Sequence, residues 1–157
     1  MVLKKMVSGF FLAALVSLAT LAGGVHAEDK VMTPTTLAGG KIISAEEAKA
    51  LLDRKKAIFF DMRSPINFGK GHIPGAIPLP YQQKSEKSIN FDPSLDQFDY
   101  SRLPKDKKAV IVFYSDGPAG WKSYKAAVLS IKQGYRNILW FRGGFTDWPE
   151  KGYPVGR

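Results

Sequence analysis

Cysteine is absent from all 157 residues. That absence excludes a thiolate nucleophile, thiolate ligation of a metal, a disulfide and a lipid-modified N-terminal cysteine. Histidine is nearly absent too: His26 and His72 are the whole supply, which leaves little material for a general base or an imidazole metal site. No motif points to a nucleotide or a metal, so no cofactor is expected. Long apolar runs are scarce. The longest, Gly9 to Val25, is interrupted by Ser17, Thr20, Gly23 and Gly24 and falls short of the about 20 mostly apolar residues that cross a bilayer.

The start of the chain has a recognisable order of its own. Lys4 and Lys5 precede that apolar run, and Val25-His26-Ala27 follows it, ahead of the polar Glu28-Asp29-Lys30. A basic start, a short apolar stretch and small residues at −3 and −1 of a cut after Ala27 are the anatomy of a secretory signal peptide over residues 1–27. An uncleaved single-span anchor is the competing reading. Cleavage implies an exported protein, periplasmic or otherwise in the bacterial cell envelope, with no stable membrane span. Residues 28–157 then have the size of one domain. Without Lys4 and Lys5 that part carries 21 basic residues against 14 acidic ones, a net charge of +7, which favours anionic partners. Lysines such as Lys84, Lys87, Lys105, Lys107 and Lys108 lie in polar connections and read as a solvated face. No nucleic-acid partner is expected, because such surfaces interleave their lysines with aromatics and arginines.

Residues 28–40 are polar, contain Pro34 and close on Gly39-Gly40; they read as a leader into a domain spanning 41–157. Ser44 with Glu47 three residues on, then Ala48, Leu51 and Leu52, predict a capping box and a short amphipathic helix. Residues 57–61 (AIFFD), 109–114 (AVIVFY) and 137–141 (NILWF) are continuous apolar runs of the kind buried on both faces of a parallel sheet. Pro and Gly throughout 62–80 predict a turn-rich loop leading to a short strand near Ala76 to Leu79, and 81–105 reads as a long connection with one helical turn. A helix carrying Ala126, Ala127, Leu129, Ser130 and Ile131 ends near Gly134, its expected C′ residue. The last segment turns, makes about one helical turn and closes the domain. Strands alternating with helices give an α/β fold with a mostly parallel sheet covered on both faces.

The stretch FYSDGPAGWKS, residues 113–123, carries a strand through a small-residue loop into a helix. Such a junction aims several backbone N–H groups at one point and suits an anion. Two further stretches carry a family resemblance. One holds Asp61, Arg63 and Phe68, then Gly71-His72-Ile73-Pro74-Gly75-Ala76; the other holds Gly134, Tyr135, Gly143, Gly144 and Trp148. In this order, and over about residues 41–155, the chain resembles the rhodanese family.

The resemblance implies a sheet of about five strands flanked by helices. It also implies thiosulfate sulfurtransferase chemistry through a persulfide on a loop cysteine cradled by backbone amides. An exported subgroup has a Cys-x-Gly-Pro-x-Cys-Trp-x-Ser-like loop, and Ser115 and Gly120 stand where its cysteines are expected. Serine is far more basic than a thiol and needs a positioned base, and oxygen cannot carry a persulfide. The leading expectation is a non-catalytic domain whose loop, through Ser115, Asp116, Gly117, Ala119, Gly120, Trp121, Lys122 and Ser123, binds a small oxyanion or an envelope protein partner. The rivals are a sulfurtransferase-family enzyme, a hydrolase using Ser115, and a domain that receives a partner's persulfide-bearing loop. His72 reads as a scaffold residue, Asp61 with Arg63 as a structural pair, and Asp116 as too isolated to hold a metal. Trp121 suits stacking on a ligand as well as packing at the junction. Lys122 sits at the unfavourable end of the helix dipole, at a cost of about 0.3–1 kcal/mol.

Overall fold

The computed structural model describes residues 29–157; residues 1–27, read above as a signal peptide, lie outside the described residues. Five strands, β1 (Lys41–Ile42), β2 (Ile58–Asp61), β3 (Ile77–Pro78), β4 (Val110–Tyr114) and β5 (Asn137–Phe141), pair in the order β1-β5-β4-β2-β3. Every pairing is parallel. Side chains alternate across a strand, and the three long strands use that alternation to feed two cores. Phe60, Ile111, Phe113, Ile138 and Trp140 face one layer. Phe59, Val112, Tyr114 and Phe141 face the other. Both faces are therefore buried, which is why the strands read as unbroken apolar runs.

Helix α3 (Trp121–Lys132) covers the first face with Trp121, Tyr124, Ala126, Ala127 and Leu129. Helices α1 (Ala45–Asp53), α2 (Pro65–Lys70) and α4 (Gly144–Glu150) lie on the second, contributing Ala45 and Ala48, Phe68, and Trp148 respectively. The expected capping box of α1 is present: Glu47 N donates to Ser44 Oγ at 3.1 Å and Ser44 N to Glu47 Oε2 at 2.9 Å. Gly134 follows the end of α3 with φ +92°, the left-handed conformation that glycine tolerates best.

Two segments hold more helix than their sequence advertises. The turn-rich stretch after β2 contains α2, started by Ser64, whose Oγ accepts from Asn67 N at 3.2 Å, and by Pro65 at the first helical position. Proline costs nothing at that position because the N–H it lacks would be unpaired anyway. In the closing segment α4 extends to seven residues. The long connection makes two 3-10 turns, Pro93–Leu95 and Tyr100–Arg102, each capped by an aspartate two residues before the amide it binds.

The connection is tied to α3 by a buried polar knot. Asp96 accepts from Tyr81 OH at 2.7 Å, Lys84 N and Ser85 N at 2.7 Å, and Ser85 Oγ at 2.6 Å. Lys125, wholly buried on α3, donates to Ser85 Oγ at 2.6 Å and lies 3.6 Å from Asp96. Burial disfavours the Asp96 carboxylate, but the Ser85 hydroxyl and amide, Tyr81 and the Lys84 amide outweigh it and hold the pKa down at about 2. Burial also pushes Lys125 below the ordinary lysine range, against the pull of Asp96.

Candidate functional site

Parallel strands deliver their carboxyl-end loops to one edge of the sheet, the usual position for ligands in α/β folds. The loops after β2, β4 and β5 meet there. After β2, Arg63 makes a two-pronged pair with Asp61: Nε to Oδ1 at 3.0 Å and a terminal guanidinium nitrogen to Oδ2 at 2.7 Å. Asp61 Oδ1 also accepts from Arg63 N at 2.9 Å, and the guanidinium reaches Gly71 O at 2.7 Å. Its face lies 4.1 Å from the Phe145 ring centroid. Burial works against the Arg63 charge, yet the hydrogen bond to Asp61 and that carboxylate's charge hold its pKa above the ordinary value. Both side chains are consumed in bracing the loop, as the sequence suggested. His72 is likewise occupied, stacked 3.8 Å over Phe68 with Nδ1 3.0 Å from Phe68 O.

The loop after β4 is built differently. Ser115 is buried, and its Oγ lies 2.9 Å from Gly120 O and 2.9 Å from Ser123 Oγ. Ser123 Oγ in turn accepts from Trp140 Nε1 at 3.0 Å and lies 3.2 Å from Gly120 O. With one proton per hydroxyl, the two serines share one carbonyl and one another in either direction. No imidazole or carboxylate is among the partners of Ser115, so the geometry supplies no base to activate it. Trp121 also turns inward: it is buried, donates to Val31 O at 2.8 Å and packs edge-on against Tyr124. At positions 115, 121 and 123 the side chains therefore hold the loop in shape.

What the loop offers outward is backbone. Gly120 N is bonded to Gly117 O at 2.7 Å. Among the described residues the amides of Asp116, Gly117, Ala119, Trp121 and Lys122 have no hydrogen-bonded acceptor. Most of the loop's carbonyls, by contrast, are used: Phe145 N donates to Ser115 O at 2.8 Å and Thr146 N to Asp116 O at 2.9 Å. That approach requires Gly144, which has φ +64° and whose added Cβ would lie 2.6 Å from Ser115 O. Most donors are free while most acceptors are satisfied, a polarity that suits an anion.

Sequence reasoning missed the third wall of the site. The leader is docked on the loop: Thr33 N donates to Pro118 O at 2.9 Å. Arg142, just past β5, reaches Thr33 Oγ1, Thr33 O and Pro34 O at 2.9–3.1 Å, and Leu37 joins the core. These partners lie 85 to 109 residues apart along the chain, beyond any local pattern. The docked segment brings Lys30 and Met32 to a cleft of about 510 Å³ shared with Lys87, Thr146 and residues 116–120. A second lobe of about 190 Å³ contains Gln83, Lys87, Trp121 and Lys122.

A sequence model of the rhodanese-like domain family matches residues 44–151. The chain belongs to the rhodanese-like domain family. The rhodanese-like chain is 30% identical over 115 residues to a sulfurtransferase of Allochromatium vinosum, covering 73% of this chain and 92% of that one. It is 30% identical over 116 residues to human thiosulfate:glutathione sulfurtransferase, covering 73% and 98%. Among solved structures, the human single-domain sulfurtransferase superposes with a TM-score of 0.51 at 27% identity, over 70% of this chain and 96% of that chain. A rhodanese-related protein of Thermoplasma volcanium superposes with a TM-score of 0.52 at 23% identity, over 74% and 97%, a likeness of fold.

Proposed function

We propose that this rhodanese-like domain is a binding module of the bacterial cell envelope that does no sulfur chemistry. Its β4–α3 loop would take a small oxyanion or the anionic group of an envelope protein. The observation that carries the reading is the division of labour in residues 115–122: free backbone donors, mostly satisfied carbonyls, and a serine hydroxyl locked into the loop where a thiol would be needed. The relatives' names point to sulfur transfer, but a persulfide needs a sulfur atom on the protein, and the chain has no cysteine. A hydrolase would need a base at Ser115, and its hydroxyl is bonded to Gly120 O and Ser123 Oγ.

Two measurements test the proposal. Purified protein incubated with thiosulfate and cyanide should form no thiocyanate above a protein-free blank; turnover that survives repurification overturns the non-catalytic reading. Titration with sulfate, thiosulfate and phosphate should shift the amide resonances of residues 116–122 with millimolar affinity, about 4 kcal/mol of binding. Still amides there, with shifts elsewhere, would overturn the oxyanion reading. Envelope residence rests on the basic start, the short apolar run and Val25-His26-Ala27. The intact mass of protein recovered from the envelope should begin at Glu28, and a retained residue 1 would favour an anchor.

A further inference from the structure

We infer that the cleft beside this loop selects organic oxyanions, those with an apolar arm next to the charged head, over bare inorganic ones. The inference rests on the oxyanion reading above and adds the ligand class. Three segments far apart in sequence each bring one lysine: Lys30 from the leader, Lys87 from the long connection and Lys122 from α3. None of the three forms an ion pair among the described residues, and Asp116 is the one carboxylate lining either lobe. Lys87 lines both lobes, so the positive charge is continuous across the loop's free amides.

The larger lobe is more than a charged rim. Met32, Pro118 and Ala119 give it apolar walls, and Met32 is 55% exposed, an apolar side chain held toward water with nothing packed over it. A volume of about 510 Å³ lies within the roughly 300–1,000 Å³ typical of small-molecule sites, which combine apolar walls with a few placed polar groups. A bare oxyanion would use the amides and lysines and leave the Met32 wall wet. An alkyl or aryl sulfate, sulfonate or phosphate would cover that wall as well.

The leader is fixed firmly enough to act as a wall. Val31 O receives Trp121 Nε1, Thr33 is bonded to Pro118, and Arg142 binds Thr33 and Pro34 from beneath. Met32 sits between two anchored neighbours, so its position is set before a ligand arrives, which lowers the entropic cost of binding.

The test compares hexyl sulfate, below its micellar concentration, with inorganic sulfate at constant ionic strength, following loop amides and the Met32 methyl by NMR. Hexyl sulfate should bind at least about tenfold more tightly, since burying only about two of its methylenes is enough for that factor. Met32→Ser should remove most of that advantage and leave sulfate affinity unchanged. Lys87→Gln should weaken both ligands by a similar few-fold factor. Sulfate binding with no advantage for hexyl sulfate, or an advantage that survives Met32→Ser, overturns this inference and leaves the oxyanion reading standing. A loop indifferent to sulfate overturns the oxyanion reading itself, and this inference with it.

Discussion

The loops after β2 and β4 leave the same edge of the same sheet and solve opposite problems. After β2, charged side chains are buried and every one is paired: Asp61 with Arg63, and Arg63 again with Gly71 O. After β4, the side chains at 115, 121 and 123 are tied inward and the backbone donors are left free. A polar group buried without a partner is costly, so a region that pairs everything is a brace, whereas one that keeps its donors at a solvent-open cleft is a place for a ligand. The family signature is most legible in the brace. The proposed function rests on the other loop.

The sharpest way to break the comparison is to unpair the brace. Asp61→Ala leaves the Arg63 guanidinium buried without its carboxylate and should lose about 3–5 kcal/mol in urea denaturation. Next comes the contact between the loops after β4 and β5. Gly144→Ala should cost about 1–2 kcal/mol for its left-handed backbone and about 1–3 kcal/mol for the clash with Ser115 O. Because that clash displaces residues 115–117, the same variant should also weaken sulfate binding. Within the β4 loop, Ser123→Ala orphans the buried Trp140 Nε1 and should lose about 1–3 kcal/mol. Ser115→Ala leaves Ser123 able to donate to Gly120 O and should lose only about 0.5–1.5 kcal/mol. Its sulfate titration should match that of the unaltered protein. A loss of sulfate affinity there would mean that the hydroxyl, and not the backbone, holds the ligand.

A further expected effect lies on the acid side and concerns the knot holding the long connection. Asp96 has a folded-state pKa of about 2, below its ordinary value of 3.8, so its stabilising contribution is complete above pH 4 and is lost as pH falls toward 2. Stability measured across that window should decline less steeply in Asp96→Asn, which starts lower because Lys125 loses its counter-charge. Identical slopes would show that the knot does not titrate.

Local signals carried much of the architecture. Ser44 and Glu47 announce the start of α1, the unbroken apolar runs announce buried parallel strands, and Gly134 announces the end of α3, because each effect acts within a few residues. Helix α2 was hidden by its own composition: Pro and Gly argue for turns, and only the Ser64 cap with Pro65 at the first position converts them into six helical residues. At the site, the loop frame and the missing thiols were plain from residues 115–123. The inward turn of Trp121 is decided by Val31 O, which lies beside its indole N–H.

By itself, then, the amino-acid sequence determined the α/β alternation, the two-faced burial of the central strands and the exclusion of thiol chemistry, all of which follow from residue type and short-range spacing. Tertiary structure alone decided that the leader docks on the loop, that Arg142 clamps it through Thr33 and Pro34, and that Lys30, Met32 and Lys87 meet at one cleft. Those contacts join residues up to 109 positions apart. Their partners are chosen by where the sheet places each loop, and no local pattern encodes that choice.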